Sequence, residues 1–417
     1  MALAALIFAS RTIDDGSDAL RASLPLAGAT LLEHQVRRAV RAGAIHIVVL
    51  VERLPAALIG AVDRLRKGGT RVDIARSVSD AAGRIHPDET VLIVADGCIA
   101  GADIFNRLVA SPAPAVMALP NVPGLEEFEL IGAQHRWAGL SLIDGARLQA
   151  TAARLGEWDF ELTLLRQTLA DEGAVLSAFG TSTETLPSER PVIARHVSDL
   201  AALELQILAG SAGFRHGWPA RYIFPLIERI GFARLARGSA DPWWLGVGAV
   251  VLAVLAIPVA SAGWLAVALL LLLASGPLAS IARRLADVRM TRVRHDERLS
   301  FARLTAAAAT MIILGIRRGD IDGQWGWAVL AVTTVGVMIA LAIEWRTAHR
   351  LDNRADMPFM ATGDGLIWMF IPFAITGRWG VGMMIEALYA VTSFVVAQRL
   401  VHDAIAANAK RDRLAPP

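Results

Sequence analysis

Lysine and cysteine are nearly missing from this chain, and each shortage removes a class of explanation. Lys67 and Lys410 are the only lysines among 41 cationic residues. Arginine carries the rest, a pattern that reads as codon bias rather than function. Cys98 stands alone, which excludes an internal disulfide framework and a thiolate zinc cluster. A formal net charge of +2 over 417 residues leaves no electrostatic footprint for nucleic acid. The opening, Met1 to Ser10, lacks a basic start and a small-residue cleavage site, so it reads as a buried first strand rather than a signal peptide. The most telling absence is local: from Trp243 to Ala282, forty consecutive residues carry no charge.

A bilayer span needs roughly 20 apolar residues, so that run predicts two spans with a turn near Ser261 to Gly263. Leu304–Ile316, Trp325–Ile343, Met357–Thr376 and Trp379–Ala397 bring the expected number to six. Arg283, Arg284, Arg289, Arg292, Arg294 and Arg298 lie between the second and third spans. Arg346, Arg350 and Arg354 lie between the fourth and fifth, and Arg399, Lys410, Arg411 and Arg413 in the tail. Arg229, Arg234 and Arg237 precede the first span, whereas the opposite connections hold only Arg317, Arg318 and Arg378. The positive-inside rule then predicts a multi-pass inner-membrane protein with both termini cytoplasmic.

The first half alternates apolar runs with amphipathic segments. Strands are expected at Ala2–Ala9, His46–Val51, Thr90–Ala95, Ala113–Leu119, Trp137–Ile143 and Ala174–Phe179. Helices are expected at Leu31–Ala42, Ala56–Arg66, Ala102–Ala110 and Phe160–Ala170. This alternation implies an α/β, Rossmann-like domain over 1–190 with a mainly parallel sheet covered on both faces. Asp96 ends the most apolar strand, where such sheets present ligand-binding residues. It is a candidate magnesium ligand or, alternatively, a turn or capping aspartate. Between the halves, 191–240 reads as a juxtamembrane linker. Leu200–Gly210 is an amphipathic helix there, and Arg215 to Arg229 fits either a helix at headgroup level or a packing helix.

The segment Arg21-Ala-Ser-Leu24-Pro25-Leu-Ala-Gly28 resembles the sugar-nucleotide and polyol-phosphate nucleotidyltransferases, whose pattern is K-P-x-L-P-x-x-G. Leu24, Pro25 and Gly28 match, and Arg21 falls at the phosphate-contacting lysine. The strand ending at Asp96 resembles the metal-binding strand of that family. The glycine-rich first loop is replaced by Phe8-Ala9-Ser10-Arg11-Thr12, with no glycine before Gly16. Such loops use glycine because backbone amides must approach the phosphates closely. Thr181 to Glu184 lies where the second metal carboxylate is expected, and Glu184 matches it poorly.

In the second half, Ser275, Leu278, Ala279, Ala282, Arg283, Arg292, Asp296 and Ser300 follow the spacing of the CDP-alcohol phosphatidyltransferases: D-x-x-D-G-x-x-A-R, eight residues, then G-x-x-x-D-x-x-x-D. In that family four aspartates hold two divalent metals and the last is also the base. Here Ala282-Arg283 and Asp296 remain, while Ser275, Leu278 and Ser300 replace the other carboxylates. The resemblance implies a six-helix transmembrane domain over 241–417, magnesium, a nucleotide or CDP-alcohol ligand, membrane lipid and a homodimer. It assigns Arg283 to phosphate, and Asp296 to metal and catalysis. The domain order is similar to that of bifunctional enzymes that activate a polyol phosphate with CTP and transfer it at the membrane.

Two readings follow. In the first, the chain belongs to phospholipid or phosphopolyol metabolism but is catalytically degenerate, binding substrate or lipid or supporting an active partner enzyme. In the second, it is an active magnesium transferase whose metal site has moved to Asp287, Glu297 or Asp364. Arginine with apolar side chains around a pocket favours the first; converging acids favour the second. Glu386, within a span, is a functional candidate or one half of a structural pair with Arg303.

Overall fold

Residues Leu3–Phe8 (β1) alternate their side chains between two apolar layers, Ala5 and Ile7 on one side and Ala4, Leu6 and Phe8 on the other. That pattern requires helices on both faces. The structure, a computed structural model, describes residues 2–14, 18–154, 159–171, 173–179, 191–210, 217–228, 241–290, 296–351 and 359–414. The chain divides into two compact units, one chiefly Met1–Ser211 and the other chiefly Ala212–Leu235, Ala240–Ala286 and Arg292–Pro417.

In the first unit β1 is followed by α1 (Leu31–Arg41), β2 (His46–Leu50), α2 (Ala56–Lys67), β3 (Val72–Ala75), α3 (Val78–Gly83) and β4 (Thr90–Val94). Next come α4 (Ala102–Val109), β5 (Ala115–Pro120), β6 (His135–Asp144), α5 (Gly145–Arg154), α6 (Phe160–Ala170), β7 (Ala174–Ser177) and α7 (Val197–Gly210). The seven strands lie in the order β7-β5-β6-β4-β1-β2-β3. Only β6 runs antiparallel to its neighbours, β4 and β5. Helices α1, α2 and α4 cover one face, α3 and α5 the other. The expected mainly parallel α/β sheet is thus present, with β3, α3 and α5 as additions. Helix α1 starts with a reciprocal cap: Glu33 N–H donates to Thr30 Oγ1, and Thr30 N–H donates to Glu33 Oε2 at 2.9 Å.

This strand order sets the position of the site. From β1 the chain winds outward through β2 and β3, then returns to place β4 on the other side of β1. Where winding reverses, the loops after the two adjacent strands part and leave a crevice at their carboxyl ends. Arg11 follows β1 and Asp96 follows β4.

The second unit is helical: α8 (Pro242–Ser261), α9 (Leu265–Val288), α10 (Asp296–Asp322), α11 (Gly326–Leu351), α12 (Gly363–Met369), α13 (Ile371–Ile375) and α14 (Trp379–Leu414). Asp241 caps α8 by accepting the Trp243 N–H at 2.9 Å, and Gly263, at φ +90°, makes the tight turn into α9. Among the described residues five helices, α8, α9, α10, α11 and α14, are long and apolar enough to cross a membrane. Leu270, Ile343 and Leu388 point outward, each at least 60% exposed, the surface a bilayer covers.

The fifth expected span, Met357–Thr376, is corrected, so that five of the six expected spans are present among the described residues. Within Met357–Thr376 the helix is only Gly363–Ile375, in two pieces that meet at Phe370. Pro372 lacks the N–H that would continue the ladder. At 1.5 Å per residue the pair covers about 20 Å, short of a hydrocarbon core of about 30 Å. In the described part of the linker, Pro219–Ile223 forms a turn of π-helix, and buried Phe224 packs edge-on against Trp368.

Candidate functional sites

In the α/β unit, β4 delivers Asp96 to the crevice and the turn behind it is tied down. Gln35 donates from Nε2 to the carbonyls of Ala95 and Cys98 at 3.2 and 2.8 Å. Ala194 donates its N–H to Gly97 O at 2.9 Å. Gly97 sits at φ +77°, and a Cβ there would lie 2.7 Å from Ala194 O, so glycine is required.

Asp96 is 3% exposed. Its Oδ2 accepts the Arg11 backbone N–H at 2.6 Å, and its buried Oδ1 lacks a hydrogen bond of ordinary geometry among the described residues, although the Ser10 backbone N–H also favours the charged carboxylate. One oxygen thus holds the loop after β1 in place. Burial pushes its pKa up to about 6, against the pull of the Arg11 backbone amide and the Arg21 and Arg11 charges.

Glu161, in the first turn of α6, joins this site and was not among the sequence candidates. It is 7% exposed. Burial pushes it up to about 8; Arg11 opposes the rise, and Asp96 and Asp159 add to it. Arg11 Nη2 stands 3.7 Å from Glu161 Oε2 and 3.7 Å from Asp159 Oδ2. In sequence Glu161 looks like an ordinary first-turn acid beside the capping Asp159, and nothing local announces that it faces inward.

Arg21 is 7% exposed. It donates from Nε to Thr12 O at 3.0 Å and from Nη2 to Asp14 Oδ1 at 2.6 Å. This hydrogen bond holds the Asp14 carboxyl below its usual range. Glu184 lies outside the described residues. A resident magnesium ion does not fit this arrangement. Oδ2 of Asp96 is taken by an amide, the Arg11 guanidinium already faces Glu161, and among the described residues no three His, Cys, Asp or Glu side chains converge.

In the helical unit, α8, α9 and α10 enclose a narrow cleft lined by Pro242, Gly246, Val250, Ala279, Ala282, Arg283, Leu299, Ser300 and Arg303. Four of these, Ala279, Ala282, Arg283 and Ser300, are motif positions, so the spacing read in the sequence does gather in space. Ser275 is fully buried, its hydroxyl donating to Leu272 O at 2.7 Å. Leu278 packs toward Gly248 of α8, an apolar helix contact at a motif carboxylate position. The Asp296 side chain and Arg292 lie outside the described residues.

Arg303 dominates the base of the cleft. It is 4% exposed and grips Asp364, at the start of α12, with Nη1 and Nη2 at 2.6 and 2.9 Å. Nη1 also lies 3.5 Å from Ser275 Oγ. The pair with Glu386 offered as one of two alternatives does not form: Arg303 pairs with Asp364 instead. Of the acids considered as a relocated metal site, Asp364 reaches the cleft residues, but its carboxylate is already paired. Arg284 is likewise engaged, donating to buried Glu228 at 2.5 Å. Arg283 is exposed at the cleft and has no partner among the described residues.

No family model matches this chain, and no curated protein matches it. Among solved structures, a CTP:phosphocholine cytidylyltransferase from Streptococcus pneumoniae aligns with 12% sequence identity and a TM-score of 0.37, over 50% of this chain and 100% of that one.

Proposed function

We propose that this chain is a membrane protein of phospholipid or phosphopolyol metabolism, a nucleotidyltransferase-like domain joined to a CDP-alcohol-phosphatidyltransferase-like helical unit. The helical unit binds a phosphate ester through arginine and does not run the metal-dependent transfer of the family it resembles. Both termini lie in the cytoplasm, as the arginine distribution requires.

One observation carries this reading: the cleft at the motif positions is lined by Arg283, Arg303, Ser300 and apolar side chains. Clamping a diphosphate through two metals needs converging carboxylates. Here the nearby carboxylate, Asp364, forms a two-pronged pair with Arg303, the geometry in which arginine and carboxylate satisfy each other most fully. What remains for a ligand is the Arg283 guanidinium, which has no partner among the described residues, the Ser300 hydroxyl and a wall made narrow by Gly246, Ala279 and Ala282. That set suits a phosphate with an apolar substituent.

The test is a thermal-shift titration of the full-length protein in nanodiscs with a CDP-alcohol, CMP and CTP, each with magnesium and with EDTA. Stabilisation by the CDP-alcohol that is equal in both is expected. Stabilisation only with magnesium supports the active transferase with a relocated site. No response to any nucleotide overturns the ligand assignment.

A further inference from the structure

Helices α9 and α10 each carry the motif cleft at one end and a second recess at the other. Arg283 and Arg303 line the cleft. Trp264, Leu265, Val267, Arg318, Ile321 and Trp379 line the recess, a space of about 380 Å3. Leu265 and Arg283 stand 18 residues apart on α9, about 27 Å at 1.5 Å per residue. A hydrocarbon core is about 30 Å thick, so the two hollows belong to opposite faces of the membrane. Exposed tryptophans mark the recess end as headgroup level. Trp264 is 67% and Trp325 81% exposed, and indoles, apolar in body with a polar N–H, collect at that depth. The walls are held in place: Trp264 N–H donates to Val259 O at 3.1 Å, and the Trp379 ring packs on Phe370 with centroids 5.4 Å apart. Arg318 supplies the cation. Its Nε lies 2.8 Å from Asp322 Oδ2, a charge contact without hydrogen-bond alignment. Its two terminal nitrogens make no hydrogen bond among the described residues. Arg317, one residue earlier, is spent on Ser261 O and is not part of the lining.

We propose that this recess holds a zwitterionic phospholipid drawn from the leaflet opposite the motif cleft. The lipid phosphate takes the two terminal nitrogens of Arg318, the fork that suits phosphate oxygens. The headgroup ammonium lies beside Asp322 and against the indole faces, which attract cations. The acyl chains leave along Leu265, Val267 and Ile321 into the bilayer. A soluble phosphate ester would leave that wall uncovered, with Ile321 68% exposed, at a cost in apolar surface. An anionic lipid would gain Arg318 but meet the Asp322 carboxylate with no ammonium to offset it. The Arg318–Asp322 pair therefore selects for a headgroup that carries both charges. This inference uses none of the residues of the helical cleft, so it stands or falls separately from the proposed function.

The test is native mass spectrometry of the full-length protein in a mild detergent, titrated with four probes. These are phosphatidylethanolamine, phosphatidylglycerol of the same chain length, the corresponding diacylglycerol, and tail-free glycerophosphoethanolamine. Wild type is expected to bind one phosphatidylethanolamine at least about tenfold more tightly than any of the other three, the equivalent of one charge-assisted hydrogen bond. Arg318→Gln is expected to lose that advantage. Arg378→Gln, which removes a charge from the same end of the bundle without touching the lining, is expected to bind as wild type does. Asp322→Asn is expected to keep lipid binding and lose the preference for phosphatidylethanolamine over phosphatidylglycerol, and it carries the test where Arg318→Gln fails to fold. Diacylglycerol or the tail-free headgroup bound as tightly as phosphatidylethanolamine overturns the proposal. So does a preference for phosphatidylglycerol in wild type, a preference unchanged in Arg318→Gln or Asp322→Asn, or a loss in Arg378→Gln as large as in Arg318→Gln.

Discussion

Asp96 and Asp364 are both poorly exposed aspartates next to an arginine, one in the α/β unit and one in the helical unit, and the two arrangements are of opposite kinds. Arg303 closes on Asp364 with two short bonds, 2.6 and 2.9 Å. Arg11 gives Asp96 only its backbone N–H and holds the neighbouring Glu161 at 3.7 Å. In the first arrangement charge is balanced in place and the pair behaves as a structural clasp. In the second, burial pushes both carboxyls well above their usual range, and Oδ1 of Asp96 lacks a hydrogen bond of ordinary geometry among the described residues. An arginine beside a carboxylate therefore does not by itself mark a site as closed or as poised; the bond geometry does.

The contrast can be broken most forcefully at Arg303. Arg303→Ala leaves Asp364 without its partner inside the helical unit, and removal of one member of a buried pair costs about 3–5 kcal/mol. Thermal unfolding in detergent is expected to show that loss, with much of it recovered in Arg303→Met/Asp364→Leu. Recovery is the informative part, since it separates a clasp from a site that needs its charges.

The poised site predicts the opposite sign. Asp96 in the folded state holds its proton up to about pH 6, and Glu161 up to about pH 8, whereas both are ionised above about pH 4–5 in the unfolded chain. The folded state therefore binds more protons than the unfolded chain across that window, and stability falls as pH rises through it. Asp96→Asn is expected to be more stable than wild type at pH 8, by on the order of 2 kcal/mol, and equal to it near pH 3. Denaturant unfolding of the α/β unit within the full-length protein, at the two pH values, reads this difference. A variant no more stable at pH 8 would show that the crevice is already balanced.

Smaller effects calibrate the comparison. Thr30→Ala removes an ordinary helix cap away from either site and is expected to cost about 1 kcal/mol at every pH, measured in the same unfolding experiment. Arg283→Gln is expected to change stability by less than about 0.5 kcal/mol, because its guanidinium is exposed and has no partner among the described residues. Loss of ligand binding without loss of stability is the signature that separates Arg283 from Arg303.

Much of this architecture is legible in the residues. Strands such as Val91 to Val94 announce themselves by unbroken apolar runs, and Asp96 by its place at the end of one. The direction of β6 is not legible, because a strand's local pattern is the same whether it runs parallel or antiparallel. Val72–Ala75 escapes notice because four residues with an aspartate make a weak strand signal. Hydropathy over Met357–Thr376 reads as a span although Pro372 lies within it, which makes six expected spans against five membrane-capable helices among the described residues. The sites divide in the same way. The motif spacing located the helical cleft through Ala282, Arg283 and Ser300. The pairing of Arg303 with Asp364 joins residues 61 apart, and the inward turn of Glu161 depends on where α6 packs; neither is a property of a local segment.

The most direct measurement is isothermal titration of a CDP-alcohol into the wild-type protein and Arg283→Gln in nanodiscs, once with magnesium and once with EDTA. The account predicts one wild-type affinity in both buffers and at least about a tenfold loss in Arg283→Gln, the equivalent of one charge-assisted hydrogen bond. Wild-type binding that appears only with magnesium, and survives in Arg283→Gln, would contradict it.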